Sequence, residues 1–514
     1  MSKFLRGTMI LMAAGLVTRV LGFVNRIVIA RFIGPEGVGL FMMAFPTLML
    51  VITITQLGLP IAISKSVAEA NAAGDRIKIK KIMTVSLAVT VTLSAILTPA
   101  LIVFAPLLTK SLFTDSRIYY PLIAIAPIIP IVAVSGVIRG YFQGKQNMKP
   151  FAISQVIEQL VRIFLIAILT KTFIPYGIEF AAAGAMIASI FGELASLFYM
   201  FTMFKLKKKF RVRSKFFQAV RTGKETLYEL FRVALPATGS RFIGNASWFL
   251  EPIVVAKSLA IAGVAASIAT KQYGALTGFA LPLLMLPSFV TQSLSTALVP
   301  AISEANAQRN HKLVESRLNQ ALRFSLLTGG ISVILLYVFA EPLMAFMYGT
   351  SDGAQFIKIM APFFIFQYYQ GPLQATLQAL DLAKAAMINS LIGAIVKLVV
   401  IFSLTSQPNF GINGAALGIV TSMLLVTLLH YATVMKRIQF TIDATSLILF
   451  TIVTLASGFL GHWCYNHLFQ SYSENIRLVL GLIITSLLYL LLLLITKQVN
   501  RNDLKRIPII KKFI

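Results

Sequence analysis

Arg19 and Arg26 stand seven residues apart inside Gly7 to Ile33, a stretch that is otherwise almost wholly apolar. An unpaired arginine at the centre of a bilayer costs roughly 2.5 to 3.5 kcal/mol on insertion scales. Such residues need protein or a wet cavity beside them. At about 1.5 Å per residue, Arg19 lies roughly 18 Å into the stretch and Arg26 about 10 Å further. Arg26 can reach the far interface along its own aliphatic stem, and Arg19 cannot do so easily. A guanidinium fork matches two phosphate oxygens at once and does not lose its proton, which suits capture of an oxyanion in a partly dry cavity. The plainer alternative is bonding to carbonyls of a neighbouring helix, or pairing with an acid such as Glu158.

Other polar residues repeat this pattern of charge inside apolar sequence. Glu158 and Arg162 are four apart with the acid first, the favourable direction for an intrahelical pair. That spacing serves a self-neutralising pair and a switchable site equally well, with Arg162 turned to a ligand and Glu158 tuning it. Arg241, Asn245 and Trp248 fall at i, i+4 and i+7, on one face of their helix, a candidate cavity face. Glu251 lies off that face and is followed by Pro252; it is a candidate for ion coupling or for a pair with Lys257. Gln367, Gln370, Gln374 and Gln378 form a polar stripe that could bind sugar hydroxyls, with Gln370 and Gln374 the best placed; such stripes also glue helices together. Glu193 stands by itself in its stretch and reads as a packed or protonated acid.

The elements that carry these residues follow from composition. The 514 residues are 57% hydrophobic and 12% charged, with a mean hydropathy of +0.82, which is a polytopic membrane composition. One cysteine, Cys464, excludes an internal disulfide framework, and four scattered histidines make a metal site or other cofactor unexpected. The first apolar stretch lacks a small-residue cleavage site and reads as a retained helix. Windows of about 20 apolar residues give fourteen spans: near 8–33, 38–63, 82–108, 119–141, 151–173, 178–204, 229–256, 272–300, 321–347, 356–380, 384–406, 412–435, 444–467 and 476–496. The net charge of +28 sits mainly in the loops after even-numbered spans, among them Lys78, Lys80 and Lys81, Arg139 and Lys145, Arg309 and Lys312, Lys436 and Arg437. This is the positive-inside pattern rather than a nucleic-acid surface, and it puts both termini in the cytoplasm.

The expected fold is therefore all-α with about fourteen transmembrane helices. Residues 1–204 form a first lobe, 205–228 a basic cytoplasmic linker, 229–437 a second lobe, and 438–514 two additional helices and a basic tail. Short matches recur across the linker at one offset: Ala126-Pro127 with Ala361-Pro362, Gln143 with Gln378, Glu69-Ala70-Asn71 with Glu304-Ala305-Asn306, each 235 apart. Gly177 and Gly184 recur 234 further on at Gly411 and Gly418. A shared register in separate contexts indicates duplication. Each half has an even number of spans, so the repeats share one orientation and are expected to be related by a pseudo-two-fold along the membrane normal. Prolines inside spans, such as Pro46, Pro60, Pro127, Pro252 and Pro287, supply bends.

Two six-helix lobes plus two helices, with Thr18-Arg19-Val20-Leu21-Gly22 in the first helix and Gln56-Leu57-Gly58-Leu59-Pro60 ending the second, resemble the flippases of the multidrug/oligosaccharidyl-lipid/polysaccharide superfamily, on a branch related to the lipid II flippases. The resemblance extends over the full chain. It implies a MATE-like fold and alternating access around a cationic cavity that accepts an undecaprenyl-diphosphate-linked saccharide, of the peptidoglycan-precursor type, with a link to sporulation. Arg19 matches the first motif arginine of the lipid II flippases. The next family position, usually arginine followed by an acid, reads Asn25-Arg26 here, and the eighth span lacks the family's arginine. A multidrug or organic-cation exporter of the same superfamily would want an acid in the first helix, which holds none. An integral-membrane transferase would need clustered acids or histidines, which no loop supplies. The expected protein is not an enzyme. It is a monomer in the cell membrane, partnered by a lipid-linked oligosaccharide, membrane lipid and cell-wall synthesis enzymes; a non-transporting envelope-assembly role is the remaining alternative.

Overall fold

The structure, a computed structural model, describes residues 3–207, 223–438 and 444–498. Most of the expected basic linker, residues 208–222, and the basic tail after 498 lie outside the described residues. What is described is helical, with no strand among the described residues.

Helix α1 (Lys3–Gln56) is one helical run broken at Gly34, whose φ of 62° is left-handed. Glycine takes that conformation without the Cβ penalty, and Pro35 follows as a ready first residue for the next helical piece. At 54 residues and 1.5 Å each, α1 is about 80 Å long, more than twice a hydrocarbon core of about 30 Å. The break at Gly34 falls between the first two expected spans. A second break at Leu57 and Gly58, both with positive φ, starts α2 (Leu59–Ala72). There follow α3 (Arg76–Ser111), α4 (Tyr119–Ile125), α5 (Ile128–Gly144), α6 (Lys149–Phe173), α7 (Ile178–Lys207) and α8 (Lys224–Ile261). Next come α9 (Ala266–Gly274), a π-helical turn (Ala275–Ala280), α10 (Leu281–Met285) and α11 (Ser288–Ala307). The remainder comprises α12 (His311–Val338), α13 (Ala340–Tyr348), α14 (Ala354–Met360), α15 (Phe364–Ala379), α16 (Ala383–Thr405), α17 (Ile412–Met435), α18 (Ala444–His467) and α19 (Glu474–Ile495).

By length and composition, nine helices among the described residues can cross a membrane, or eleven if each of two bent pairs is one span. The bends are 41° between α4 and α5, at Pro127, and 55° between α10 and α11, at Pro287. This is a multi-pass membrane protein, but the expected count of fourteen is not reproduced. The differences have physical causes. Residues 14–72 count once although they can cross twice, α8 carries Glu229, Arg232, Arg241, Glu251 and Lys257, and residues 354–379 are broken into three short pieces.

The chain forms two compact units, Met1–Gly278 with Thr405–Ile412, and Phe279–Leu404 with Asn413–Ile514. The division falls inside the π-helical turn, so α8 and α9 are held by the first unit rather than grouped with the helices after them.

Each unit has a core built to the same plan. In the first, Ile63, Val67, Ala70, Ile79, Met83, Ile138 and Phe142 pack together. In the second, Leu298, Ile302, Ala305, Val314, Leu318, Leu373 and Leu377 do so, and every one of these lies 235 positions after its counterpart. Turn chemistry repeats as well. Asp75 caps α3 by accepting a hydrogen bond from the Lys78 amide, and Asn310 caps α12 by accepting one from the Leu313 amide. The amides of Asp75 and Asn310 donate to the carbonyls of Ala70 and Ala305 respectively. The left-handed residues Gln146 (φ 53°) and Asp381 (φ 60°) close the helices of the matched glutamines. A duplicated pattern of side chains has produced the same local structure twice. Helices α18 and α19 pack on each other and on α12, where the Tyr489 hydroxyl donates to the Leu327 carbonyl.

Candidate functional site

Charge gathers inside the first unit where α5, α6 and α7 meet. The Arg139 Nη2 donates to Glu193 Oε1 at 2.6 Å and lies 3.7 Å from Glu158 Oε2. The Arg162 Nη2 donates to Glu158 Oε1 at 2.5 Å. Two guanidinium groups and two carboxylates thus form one chain, Glu193–Arg139–Glu158–Arg162. Gly192, beside Glu193, allows this. A Cβ there would stand 2.9 Å from the Glu158 carbonyl oxygen and 3.1 Å from the Arg162 Cβ, so only glycine lets α7 lie this close to α6. The acids are the more deeply buried members, at 5% side-chain exposure for Glu193 and 13% for Glu158, against 23% for Arg139 and 20% for Arg162. The Nε–H groups of both arginines are buried and meet no acceptor among the described residues. Arg139 also lies 5.6 Å from the Phe151 ring centroid, a cation–π contact.

The structure extends the expected Glu158–Arg162 pair from its Glu158 end, through Arg139 to Glu193. The charge pattern assigns Arg139 to a cytoplasmic loop; it is instead inside α5, three turns along from Ile128. Glu193 is the partner that draws it in. An arginine near the end of an apolar span looks like loop charge in a sequence, and no spacing rule connects it to an acid 54 positions away.

A second polar chain joins α1, the turn before α4, and α9 within the first unit. Arg117 Nη1 pairs with Glu36 at 2.7 Å, and its Nε and Nη2 engage Asp115 at 3.0 and 2.8 Å. Asp115 in turn accepts from the Thr270 hydroxyl of α9 at 2.8 Å. Burial alone would raise the Asp115 carboxyl, but hydrogen bonds from Arg117 and Thr270 outweigh it and hold the group below the usual carboxylate range. The helices behind this chain touch through glycines. A Cβ on Gly39 would stand 2.0 Å from the Thr270 carbonyl oxygen, and one on Gly274 would stand 1.9 Å from that of Pro35.

The other expected residues are not brought together. Arg19 and Arg26 are exposed on α1, and among the described residues Arg19 makes no ion pair. Of the expected face on α8, Arg241 is exposed, whereas Asn245 donates to the Thr53 hydroxyl at 2.6 Å and Trp248 meets Phe45 edge to face at 5.7 Å. Two of the three residues therefore join α8 to α1. Glu251 is buried beside the Tyr273 hydroxyl, and Lys257 is exposed. In the second unit Gln370 donates to the Met423 carbonyl at 3.0 Å, as helix glue, and Gln374 is exposed. Among the described residues no group of histidine, cysteine and acidic side chains could hold a metal.

The second unit contains a cavity of about 930 Å³ between α12, α15, α17 and α18. Its walls are apolar, with Leu326, Val333, Phe366 and Phe450 among them, and Arg323 and Lys497 stand at one end. Arg323 donates to the Gln498 carbonyl, which draws the segment after α19 to that end.

Comparison with known proteins agrees with this architecture. A family model described as polysaccharide biosynthesis protein matches residues 4–306, and one described as MatE matches 253–403. Stage V sporulation protein B of Bacillus subtilis (strain 168) is 58% identical over 511 residues, 99% of each chain. Lipid II flippase MurJ of the same organism is 28% identical over 453 residues, covering 82% of this chain and 81% of that protein. A solved structure of lipid II flippase MurJ in an inward closed conformation superposes with a TM-score of 0.71 at 15% identity, over 93% of this chain and 97% of that one. The first-helix resemblance is borne out: the chain belongs to the polysaccharide biosynthesis protein family, within the multidrug/oligosaccharidyl-lipid/polysaccharide superfamily.

Proposed function

We propose that this protein is a flippase that carries an undecaprenyl-diphosphate-linked saccharide across the cytoplasmic membrane by alternating access, with both termini in the cytoplasm. The observation that carries the reading is fixed positive charge inside apolar helices of the first unit. Arg19, Arg26, Arg139 and Arg162 all stand on such helices. The function such charge serves is to receive a polyanionic headgroup where water is scarce. The apolar cavity of the second unit supports the same reading, because its walls suit a polyprenyl chain and Arg323 and Lys497 suit the phosphates at its end. The relatives' names point the same way, one being a lipid II flippase and another a sporulation protein. The saccharide is of the peptidoglycan-precursor type, with spore cortex the natural destination.

The test is translocation in proteoliposomes offered undecaprenyl-diphosphate saccharides and, separately, simple organic cations. Movement of the lipid is expected. Movement of cations alone would replace this reading with an exporter. In the same assay Arg19→Ala should insert normally and lose translocation, and Arg19→Lys should recover only part of it, because an ammonium lacks the fork.

A further inference from the structure

We propose that the chain of Glu193, Arg139, Glu158 and Arg162 is an oxyanion-exchange site, in which the two glutamates occupy the guanidinium groups until a phosphate oxygen of the substrate takes their place. This deepens the flippase reading and rests on it for the identity of the anion.

Three features of the geometry support exchange over a purely structural pairing. The first is surplus donor capacity. Each guanidinium has five N–H donors in a planar fork, yet the contacts to the glutamates run through Nη2 of each, and the buried Nε–H of each finds no acceptor among the described residues. A buried donor left without a partner costs roughly 1 to 3 kcal/mol. Two such donors lie together in this cluster, and a diphosphate is rich in acceptor oxygens that would meet them. The second is single-point attachment. A locked arginine–carboxylate pair is bidentate, whereas Glu158 divides its two oxygens between Arg162 and Arg139, and Glu193 holds Arg139 through one oxygen. Such bonds can be exchanged one at a time, with no stage at which both charges of a pair are bare. The third is exposure. The arginines are the more exposed members of the chain and the acids the more buried. Arg162 lies about 20 Å along α6 from Lys149, well inside the span, and Gly192 fixes the backbone distance between α6 and α7.

Exchange makes a prediction of sign. If the glutamates compete with a ligand for the arginines, neutralising one of them strengthens anion binding. If they only neutralise charge for insertion, in a packed cluster that no anion enters, it does not. The measurement is binding of inorganic pyrophosphate to the purified full-length protein in detergent by calorimetry, with the melting temperature taken in parallel. Glu158→Gln is expected to bind pyrophosphate ~3- to 10-fold more tightly than wild type, and Arg162→Lys ~10-fold or more weakly. Glu193→Gln repeats the test from the other end of the chain if Glu158→Gln does not fold. Unchanged or weaker binding in folded Glu158→Gln or Glu193→Gln overturns the proposal, as does wild-type affinity in Arg162→Lys, which would mean that water alone meets the spare donors. Arg19→Gln separates the two readings. Binding that disappears there while Arg162→Lys and Glu158→Gln keep the wild-type value overturns the exchange site and leaves the flippase standing. The expected pattern of affinities in a protein that moves no undecaprenyl-diphosphate saccharide supports the exchange site and removes the flippase.

Discussion

The two polar chains of the first unit use the same chemistry to different ends. In the chain Glu36–Arg117–Asp115–Thr270, Asp115 is capped on several sides: Arg117 approaches it through two nitrogens and its own amide, and Thr270 through its hydroxyl. In the chain Glu193–Arg139–Glu158–Arg162 the arginines keep buried donors unused. The first is the pattern of a permanent fastening, with fork geometry fully engaged. The second is under-satisfied, the pattern expected where a partner comes and goes. Satisfaction of donors, rather than burial or charge count, is what differs between the two chains.

Substitutions can break or sharpen this contrast. The largest effect is expected from Arg139→Met, which strands Glu193 at 5% exposure without its cation. Breaking such a buried pair costs about 3–5 kcal/mol, seen as a lower melting temperature in detergent and reduced abundance in the membrane. Adding Glu193→Gln should restore most of it; no restoration would show that Arg139 acts through packing instead. Next is Gly39→Leu. Its Cβ would fall 2.0 Å from the Thr270 carbonyl oxygen, and separating α1 from α9 should cost about 3 kcal/mol, with faster hydrogen exchange across 266–274.

Asp115→Asn should cost about 1.5–3 kcal/mol by removing charge-assisted bonds. The native carboxyl titrates below its usual value, so its contribution is complete above the unfolded pKa of about 3.9 and is lost as pH falls through the lowered folded value. The gap in melting temperature between wild type and Asp115→Asn should therefore be constant near neutrality and narrow only in acid. A gap that narrowed on raising the pH would contradict this. The smallest effect is expected from Thr270→Val, about 1 kcal/mol for one hydrogen bond, with Arg117 still holding Asp115. A loss comparable with that of Asp115→Asn would mean that the hydroxyl, not the guanidinium, fastens α9.

How far the sequence could be read depended on the kind of signal. Duplication was legible, because two chains of side chains in one register must build two similar cores, and Ile63, Val67 and Ile79 do match Leu298, Ile302 and Val314. The Glu158–Arg162 pair was legible because four residues make one helical turn. Its extension was not: Arg139 and Glu193 reach it from two other helices, and no local periodicity connects them. Asn245 and Trp248 share one helical face, as their spacing indicates, but what that face meets, Thr53 and Phe45, lies about two hundred positions away. Gln370 turned out to bond a neighbouring backbone rather than stand free. The span count was the least legible, since hydropathy sees neither the charges that keep α8 from reading as a span nor the pieces of residues 354–379.

By itself, then, the sequence determined a membrane-embedded, all-helical, duplicated chain with cationic residues in its apolar spans. Hydrophobic run length, loop charge and repeat register are properties of consecutive residues, and the bilayer acts on them directly. Only the tertiary structure decided which charges meet. Ion-pair partners are chosen by helix packing across long separations in sequence, and there a single glycine, Gly192, sets whether Glu158, Arg162 and Glu193 share one site.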